Sequence, residues 1–269
     1  MEQLNQVLSI YIIDGEIMRS QWECLLQNLG CWQGSFTRLS KSGEILEDIL
    51  SETSLELKED NHTVRQVVRR FYDDQPQDLV LEYRTLNKST TFFENGAFSQ
   101  GALQFAPFTE FGAELGLIDG DRRMRLVIVY NQASQLDRFT FIREHLPHST
   151  TPERPLLKLD HLIGKWEGEA ITISSDWLTP EISPTVTEWR QNGDRVTNLD
   201  NHDTFLPTQT LFLPDGASVS CPVAIAPRQP FRLSLSWLLK PDLHQQMIRT
   251  YDHKSGWTSL ALVTERKVS

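Results

Sequence analysis

The sequence contains no apolar run long enough to cross a membrane as a helix; residues 126–130 are typical of its longest runs. It has only three cysteines, Cys24, Cys31 and Cys221, with no Cys-x-x-Cys pair, which favours a reducing, cytoplasmic compartment. Positive charge is also scarce: 26 Lys and Arg stand against 36 Asp and Glu, a formal net charge of −10. Because nucleic-acid binding needs a basic surface, we expect no nucleic-acid partner. Because no apolar run is long enough to span a bilayer, we expect no membrane partner either.

Motifs of common catalytic and metal sites are missing too. We find no nucleophile elbow, no zinc-protease helix motif, no phosphate-binding loop and no dinucleotide fingerprint. His145 and His148 have ligand-like spacing, but they flank a proline and lack a third ligand nearby. The Asp-Gly-Asp at 119–121 lacks the rest of a calcium loop and is explained by a hairpin turn. The sequence therefore predicts no metal ligand and no catalytic residue, and whether the protein is an enzyme stays open.

What is present is mostly β-pattern. One helix start stands out at Ser20-Gln-Trp-Glu23, a capping box followed by an apolar stripe and by Gly30 as a C-terminal stop. From Cys31 onward the apolar period changes to two, and short runs alternate with turn dipeptides such as Asn95-Gly96 and Asp119-Gly120. Consecutive strands joined by tight turns predict an all-β fold built as an antiparallel meander.

A proline-rich polar stretch near the middle of the chain predicts a linker between two domains. The predicted organisation is listed in chain order: an N-terminal extension at 1–17, a first barrel at 18–148, the linker at 149–155 and a second barrel at 156–269.

An internal repeat is the most informative feature of the sequence. The same Gly-x-Trp-x-Gly signature occurs at 30–34 and 164–168, each time after a leucine-rich helical turn and before a strand. The closing ends match as well, with offsets of 121 residues at the tyrosines (Tyr130, Tyr251) and 123 at the arginines (Arg143, Arg266). A repeat of this length is a domain and not a solenoid unit.

Such a repeat suits two small closed barrels. An up-and-down barrel of about eight strands has an interior that side chains or one small ligand can fill. A tryptophan on the first strand can plug the narrow end, and an arginine on the last strand can lie across its ring. We therefore predict that Trp32 with Arg143, and Trp166 with Arg266, close the two barrels.

Polar residues that share an apolar face are the candidates for ligand binding. By strand parity Arg38 lies on the side of Trp32 and points toward the interior or its mouth, where a charge needs an acidic partner or an anionic ligand. The same reasoning selects Glu114, Arg123 and Arg125; tyrosines could add stacking surface. The alternative is that Glu114 only pairs with an arginine across strands. The candidates are Arg38, Tyr72, Tyr83, Glu114, Arg123, Arg125 and Tyr130.

The two tryptophan signatures with their closing arginines resemble the lipocalin and wider calycin superfamily. The segments 32–38 and 111–123 resemble an uncharacterised family of two-domain calycin-like proteins of cyanobacteria, which is similar in fold to the S-type phycobiliprotein lyases. The resemblance implies two tandem lipocalin-like antiparallel β-barrels, with a bilin or other tetrapyrrole as the possible ligand and a phycobiliprotein subunit as the possible partner. Fold alone does not license function.

Three functions remain open from the sequence. The first is a non-enzymatic protein that binds a small hydrophobic or tetrapyrrole-like molecule with acidic groups in the first barrel. The second is a bilin lyase or isomerase that acts on phycobiliproteins. The third is a structural or interaction protein whose barrels are filled by their own side chains. The first barrel is favoured for binding because it carries Arg38, Glu114, Arg123 and Arg125 in strand-like runs, whereas the second has uncharged Thr172 at the register of Arg38.

Overall fold

A computed structural model describes residues 11–13, 16–73, 75–176, 179–192, 195–198 and 205–268. Much of the predicted N-terminal extension lies outside these residues; within them, β1 (Tyr11–Ile13) and β2 (Glu16–Met18) form a small hairpin. Helix α1 (Gln21–Leu26) begins at the predicted capping box. It ends four residues before Gly30, which was expected to stop it and which instead opens the next strand with a φ of +130°.

The first large sheet is an antiparallel meander of nine strands. Its first and last strands, β3 and β11, pair with each other, as they do in an up-and-down barrel. Within the described chain the circle of pairing is interrupted between β6 and β7. The strands are β3 (Gly30–Ser40), β4 (Ile45–Leu57), β5 (Val64–Tyr72), β6 (Gln75–Tyr83), β7 (Thr90–Phe92), β8 (Phe98–Gly101), β9 (Phe111–Asp119), β10 (Arg122–Tyr130) and β11 (Leu136–His145).

The second large sheet repeats this topology after the short helix α2 (Leu159–Leu162). Its first and last strands, β12 and β19, also pair. Its strands are β12 (Gly164–Ser174), β13 (Glu181–Asn192), β14 (Arg195–Asn198), β15 (Gln209–Leu213), β16 (Ala217–Cys221), β17 (Phe231–Lys240), β18 (Leu243–Tyr251) and β19 (Trp257–Val268). The predicted all-β class is confirmed, and the two sheets fit tandem barrels with a short helix.

The two halves make matching contacts at the repeat signature. Trp32 and Trp166 are both buried, and each donates its indole N–H to the carbonyl four residues earlier, at 2.9 and 2.7 Å. A Cβ on Gly34 would lie 1.8 Å from the carbonyl oxygen of Arg143, and one on Gly168 would lie 1.9 Å from the equivalent oxygen. The second glycine of each signature is therefore required by the close approach of the neighbouring backbone.

The main hydrophobic core lies between the two sheets. Successive strand residues point to opposite faces, and the outer faces of β9, β10, β17 and β18 bring their apolar side chains together. At the centre of this core Phe231 stacks on Tyr251 with ring centroids 4.6 Å apart, and Phe111 meets both rings edge-on at 5.6 and 5.2 Å. The halves thus share one core across their outer faces.

Reciprocal hydrogen bonds flank this shared core. The Tyr130 hydroxyl donates to the Pro222 carbonyl at 2.7 Å, and the Tyr251 hydroxyl donates to the Ala102 carbonyl at 2.8 Å. Each acceptor follows directly after the equivalent strand, β16 in one half and β8 in the other. Backbone bonds repeat the exchange: Leu136 N–H to the Val223 carbonyl, and Trp257 N–H to the Leu103 carbonyl, at 2.9 and 2.8 Å. The halves therefore pack like the subunits of a twofold dimer.

Residues of the predicted linker are held against both halves. The buried carboxylate of Asp215 in the second half accepts from Arg122 of the first half at 2.7 Å and from the backbone N–H of Arg154 at 2.6 Å. Arg154 also donates to Asp119 at 2.6 Å and lies 4.6 Å over the ring of Trp237. Ion pairs thus fasten this part of the chain at the junction of the sheets.

Removal of either reciprocal hydroxyl tests the shared interface. We expect Tyr130→Phe to lower the free energy of unfolding by about 1 kcal/mol, since one buried hydrogen bond is lost and its carbonyl is left unpaired. Tyr251→Phe should cost more, about 2 kcal/mol, because Arg249 also donates to that hydroxyl, at 2.8 Å. Denaturant unfolding measures both, with Tyr72→Phe in the first sheet as the control. Equal values for all three variants would contradict the reciprocal arrangement.

Candidate functional site

The inner face of the first sheet, called here the first-half interior, carries Trp32, Phe36 and the residues paired with them in register. One continuous row crosses five neighbouring strands of this face: Arg123 on β10, Glu144 on β11, Gly34 on β3, Ser51 on β4 and Arg70 on β5. Paired residues of antiparallel strands project from the same side, so the charged members of this row share one space. The glycine in the middle leaves room between them.

Glu144 is the centre of a buried ion network. Its carboxylate accepts from Arg123 at 2.7 Å and from Arg125 at 2.8 and 3.0 Å, and all three side chains are buried. Arg125 also donates to Glu114 at 2.9 Å. Burial alone would raise the pKa of Glu144, but the two guanidinium groups outweigh it and hold this pKa at about 2. The carboxylate is therefore charged throughout the physiological range.

Aromatic rings lie against the guanidinium groups of this inner face. The Arg123 guanidinium lies 4.5 Å over the ring of Trp32, and its Nη1 donates to Asn28 at 3.3 Å. Arg70 and Arg125 both lie over the ring of Phe36, at 4.7 and 5.5 Å from its centroid. Cation–π contacts of desolvated groups contribute up to about 2 kcal/mol each, so these rings fix the directions in which the guanidinium groups point.

Several buried polar atoms of this face have no hydrogen-bond partner. Among the described residues they are Ser51 Oγ, Thr53 Oγ1, Arg70 Nε and Arg123 Nη2. Each such atom costs about 1–3 kcal/mol if it stays unpaired. Native proteins rarely leave buried donors unused, so we expect ordered water or another polar group from outside the chain to satisfy these atoms.

Helix α1 closes one end of the first-half interior. Cys24 and Leu25 pack with Trp32 in a separate apolar cluster, and Trp22 meets the ring of Tyr83 edge-on at 6.4 Å. The Tyr83 hydroxyl donates to Gln66 at 3.1 Å. This end is therefore filled by the chain's own side chains.

The side of β6 is open instead. Leu79 and Leu81 face inward in register with Val68 and Gln66 of β5, yet they are 51% and 42% exposed. They border the interruption between β6 and β7. A ligand could reach the charged row past this apolar border.

Predicted site residues fall into two groups. Glu114, Arg123 and Arg125 meet in the ion network, and Tyr83 lies beside it at the closed end. Arg38 faces the rim, half-exposed, and pairs with Glu47 at 3.3 Å. The pairing of Glu114 with an arginine, the alternative weighed from the sequence, is present in the structure.

Two tyrosines differ in their placement. Tyr72 faces inward at the end of β5, in register with Gln75. Tyr130, a predicted ligand contact, points the other way, because it shares the parity of Leu126 and Ile128. It is buried in the core between the halves. Tyr130 therefore belongs to the interface and not to the first-half interior.

The predicted pairing of tryptophans with closing arginines is wrong in its partners. Arg143 lies 5.6 Å from the ring of Phe141 and pairs with Glu153 at 2.8 Å, on the outer face. Arg266 is exposed and lies 3.9 Å from Asp242. The cations over the two tryptophans are Arg123 and, over Trp166, Lys267 at 5.4 Å. Strand parity explains the error, since β11 turns Glu144 inward and its neighbour Arg143 outward.

Sequence reasoning missed Glu144, Arg70, Ser51 and Thr53. A signal for Glu144 was available: the offset of 121 at the tyrosines, applied to β11, aligns Glu144 with Glu265, whereas the offset of 123 aligns two outer arginines. Glu265 is indeed buried in the second half, in register with Gly168.

The described part of the same row in the second half contains no arginine. His244 takes the place of Arg123, 5.9 Å from the ring of Trp166, and Gln246 takes the place of Arg125. Burial lowers the pKa of His244 to about 4, so this imidazole is uncharged at neutral pH. Glu265 accepts from Thr187 at 2.8 Å. Among the described residues, Arg123 and Arg125 thus have no arginine counterparts in the second half.

The described residues contain neither a metal-binding cluster nor a membrane-spanning helix. Within the described part of the chain no group of three or more His, Cys, Asp or Glu side chains is arranged to hold a metal ion. No helix there is long and apolar enough to cross a membrane.

Fold and site together define a two-sheet β-protein with an arginine-rich inner face in its first half. Residues 18–149 match the family model "Domain of unknown function (DUF3598), N-terminal". A solved structure of a DUF3598-family protein of unknown function from Nostoc punctiforme is 40% identical, covers 93% of this chain and 100% of its own, and has a TM-score of 0.85. The chain belongs to the DUF3598 family.

Other comparisons are more distant. Residues 153–204 and 196–268 match the model of the C-terminal domain of "Biogenesis factor required for ATP synthase 1". An S-type phycobiliprotein lyase from Guillardia theta aligns over 93% of this chain and 94% of its own at 9% identity, with a TM-score of 0.20. A putative outer membrane protein from Bacteroides fragilis aligns over 91% and 99% at 9% identity, with a TM-score of 0.27. Scores this low carry no argument, and no curated protein matches the chain.

Substitution Glu144→Gln tests the buried network. At pH 7 we expect a loss of about 3 kcal/mol in the free energy of unfolding, because two buried arginines lose their shared carboxylate. The folded-state pKa is lowered from 4.5, so the contribution of this carboxylate is complete above pH 4.5 and is lost as the pH falls toward 2.

Denaturant unfolding at pH values from 7 to 2 measures this effect, with Glu47→Gln at the exposed rim as the matched control. The wild-type protein should lose stability more steeply than Glu144→Gln between pH 4.5 and pH 2. Parallel acid limbs would contradict the assignment of Glu144 as the central counter-ion.

Proposed function

We propose that the first-half interior binds a small hydrophobic molecule that carries an acidic group. The observation that carries this proposal is the surplus of guanidinium groups over carboxylates on this inner face, where the partly buried Arg70 pairs with no described carboxylate and several buried polar atoms have no hydrogen-bond partner. Arginine binds carboxylates with charge-assisted, often bidentate hydrogen bonds. The exposed inner leucines of β6 supply the apolar wall that such a molecule needs.

Bilins and other tetrapyrroles belong to this class, since they join an extended apolar ring system to carboxylates. They are the ligands that the sequence resemblance implies, with a phycobiliprotein subunit as the partner. The proposed role is storage or delivery without chemistry, in a reducing cytoplasmic compartment that would keep the three free cysteines as thiols. The lyase reading adds transfer of the bilin to that partner and stays a prediction.

A groove on the outer face of the first sheet competes for the same role. It has a volume of about 570 Å³ and is lined in part by Leu50, Phe71 and Arg143. Its arginine is already paired with Glu153 at 2.8 Å. The interior is favoured because Arg70 pairs with no described carboxylate, whereas Arg122 and Arg143 of the groove pair with Asp215 and Glu153.

Titration of purified full-length protein with biliverdin, haemin and palmitic acid tests the proposal. We expect at least one compound to bind with a micromolar or tighter Kd, measured by absorbance or tryptophan fluorescence. Leu81→Glu should weaken that binding about tenfold or more, because it places a negative charge on the inner apolar wall.

Val80→Glu is the matched control, since Val80 is the next residue of β6, is similarly exposed at 46% and faces outward. It should leave binding unchanged. Absence of binding to all three compounds, or equal losses in the two variants, would overturn the proposed site.

A second candidate is an interaction role in assembly. It is favoured by the match of the second half to the C-terminal domain of a factor whose printed name links it to ATP synthase biogenesis. Full-length protein immobilised on a resin would then retain purified ATP synthase subunits, and would do so equally well after Leu81→Glu. Failure to retain any subunit would remove this candidate and leave the ligand proposal unaffected.

A further inference from the structure

The first-half interior holds an uneven number of charges. Three guanidinium groups, Arg70, Arg123 and Arg125, face two carboxylates, Glu114 and Glu144. Within the described chain, the other charged side chains that register places on this face are at the rim, and each has its own partner. They are Arg38 with Glu47 and Arg138 with Asp137. The interior is therefore one negative charge short of neutrality.

The missing charge belongs beside Arg70. Arg123 and Arg125 share the Glu144 carboxylate, and Arg125 has Glu114 as well, whereas no described carboxylate pairs with Arg70. The cross-strand neighbours of Arg70 are neutral, Ser51 on β4 and Gln77 on β6. Its Nε and the Ser51 hydroxyl are both without a partner, and Ser51 is only 4% exposed.

We infer that the ligand of the first-half interior is a monocarboxylate whose single acidic group binds between Arg70 and Ser51, with its apolar body along the inner leucines of β6. This inference rests on the proposed function and sharpens it. One carboxylate brings the charge of the interior to zero. A second carboxylate would be buried without a cation, which costs far more than its contacts return. The inference thus favours ligands with one acidic group over tetrapyrroles with two propionates.

Position along the sheet supports this placement. Arg70 lies on β5, next to the open strand β6, and Leu79 of β6 is in register with Val68, two residues before Arg70 on the same face. An acidic group at Arg70 therefore leaves its apolar body beside Leu79 and Leu81, whose side chains are half-exposed without a ligand. Arg123 and Arg125 then make no direct contact with the ligand, because their charges are already neutralised by Glu144 and Glu114.

Two matched pairs of ligands test the inference on the full chain: palmitic acid against hexadecanol, and retinoic acid against retinol. Within each pair only the acidic group differs. In wild-type protein the acid should bind about tenfold to a hundredfold more tightly than its alcohol, the range that a charge-assisted hydrogen bond provides. Biliverdin, with two carboxylates, should bind more weakly than the better acid.

Arg70→Met should reduce the preference for the acid to less than about twofold while leaving the affinity for the alcohol unchanged. Arg70→Lys should restore part of the preference, which a merely structural role of Arg70 would not produce. Arg69→Met is the control, because Arg69 is the neighbouring residue on the outer face and pairs with Asp78 at 2.7 Å. It should leave both affinities as they are.

The outcomes separate this inference from the proposed function. Equal binding of acid and alcohol in wild-type protein would overturn the carboxylate site while leaving a hydrophobic binding site in place. Tighter binding of biliverdin than of either acid would overturn the single-charge requirement. Binding of none of the five compounds would overturn the proposed function and this inference with it.

Discussion

The shared core between the two outer faces is the constraint on which the rest of the structure depends. The outer faces of β9, β10, β17 and β18 are buried against each other around Phe111, Phe231 and Tyr251. Apolar burial contributes about 25 cal/mol for each Å² removed from water, so this interface stabilises the contact between the halves. The inner faces therefore do not need to supply the apolar contact between the halves, and they can carry charged side chains.

That division explains why a buried arginine-rich row is tolerable in the first half. Burying such a network costs desolvation energy that its ion pairs only partly offset. A small domain with a single core would have little further stabilisation to offset the rest. The interface has a buried cation of its own: Arg249 lies 4.6 Å over the ring of Trp257 and donates to Ser99 of the other half at 3.2 Å. Arg249 thus joins the two halves, whereas the arginines of the first-half interior face a space that opens past β6.

The sequence predicts the fold well because the signals of an antiparallel meander are local. Turn dipeptides, alternation and the capping box at Ser20 each depend on a few neighbouring residues, and the repeat doubles their weight. The partners of the tryptophans were predicted wrongly for the opposite reason. Whether Arg143 or Arg123 lies over Trp32 depends on parity along a strand, and an error of one residue moves a side chain to the other face. Tyr130 shows the same dependence, since one position separates an inner from an outer side chain.

Comparison of the two halves separates what the architecture requires from what a function would add. The tryptophan, the second glycine, the buried glutamate and the tyrosine recur in both halves, and each has a structural duty that is visible in its contacts. Two of the arginines do not recur: the second half has His244 and Gln246 at the positions of Arg123 and Arg125, and uncharged Ser234 at that of Glu114. A barrel of this repeat can therefore be built without the charged network. Since the network costs desolvation energy and the second half is built without it, its presence in the first half supports the proposal of a binding site there.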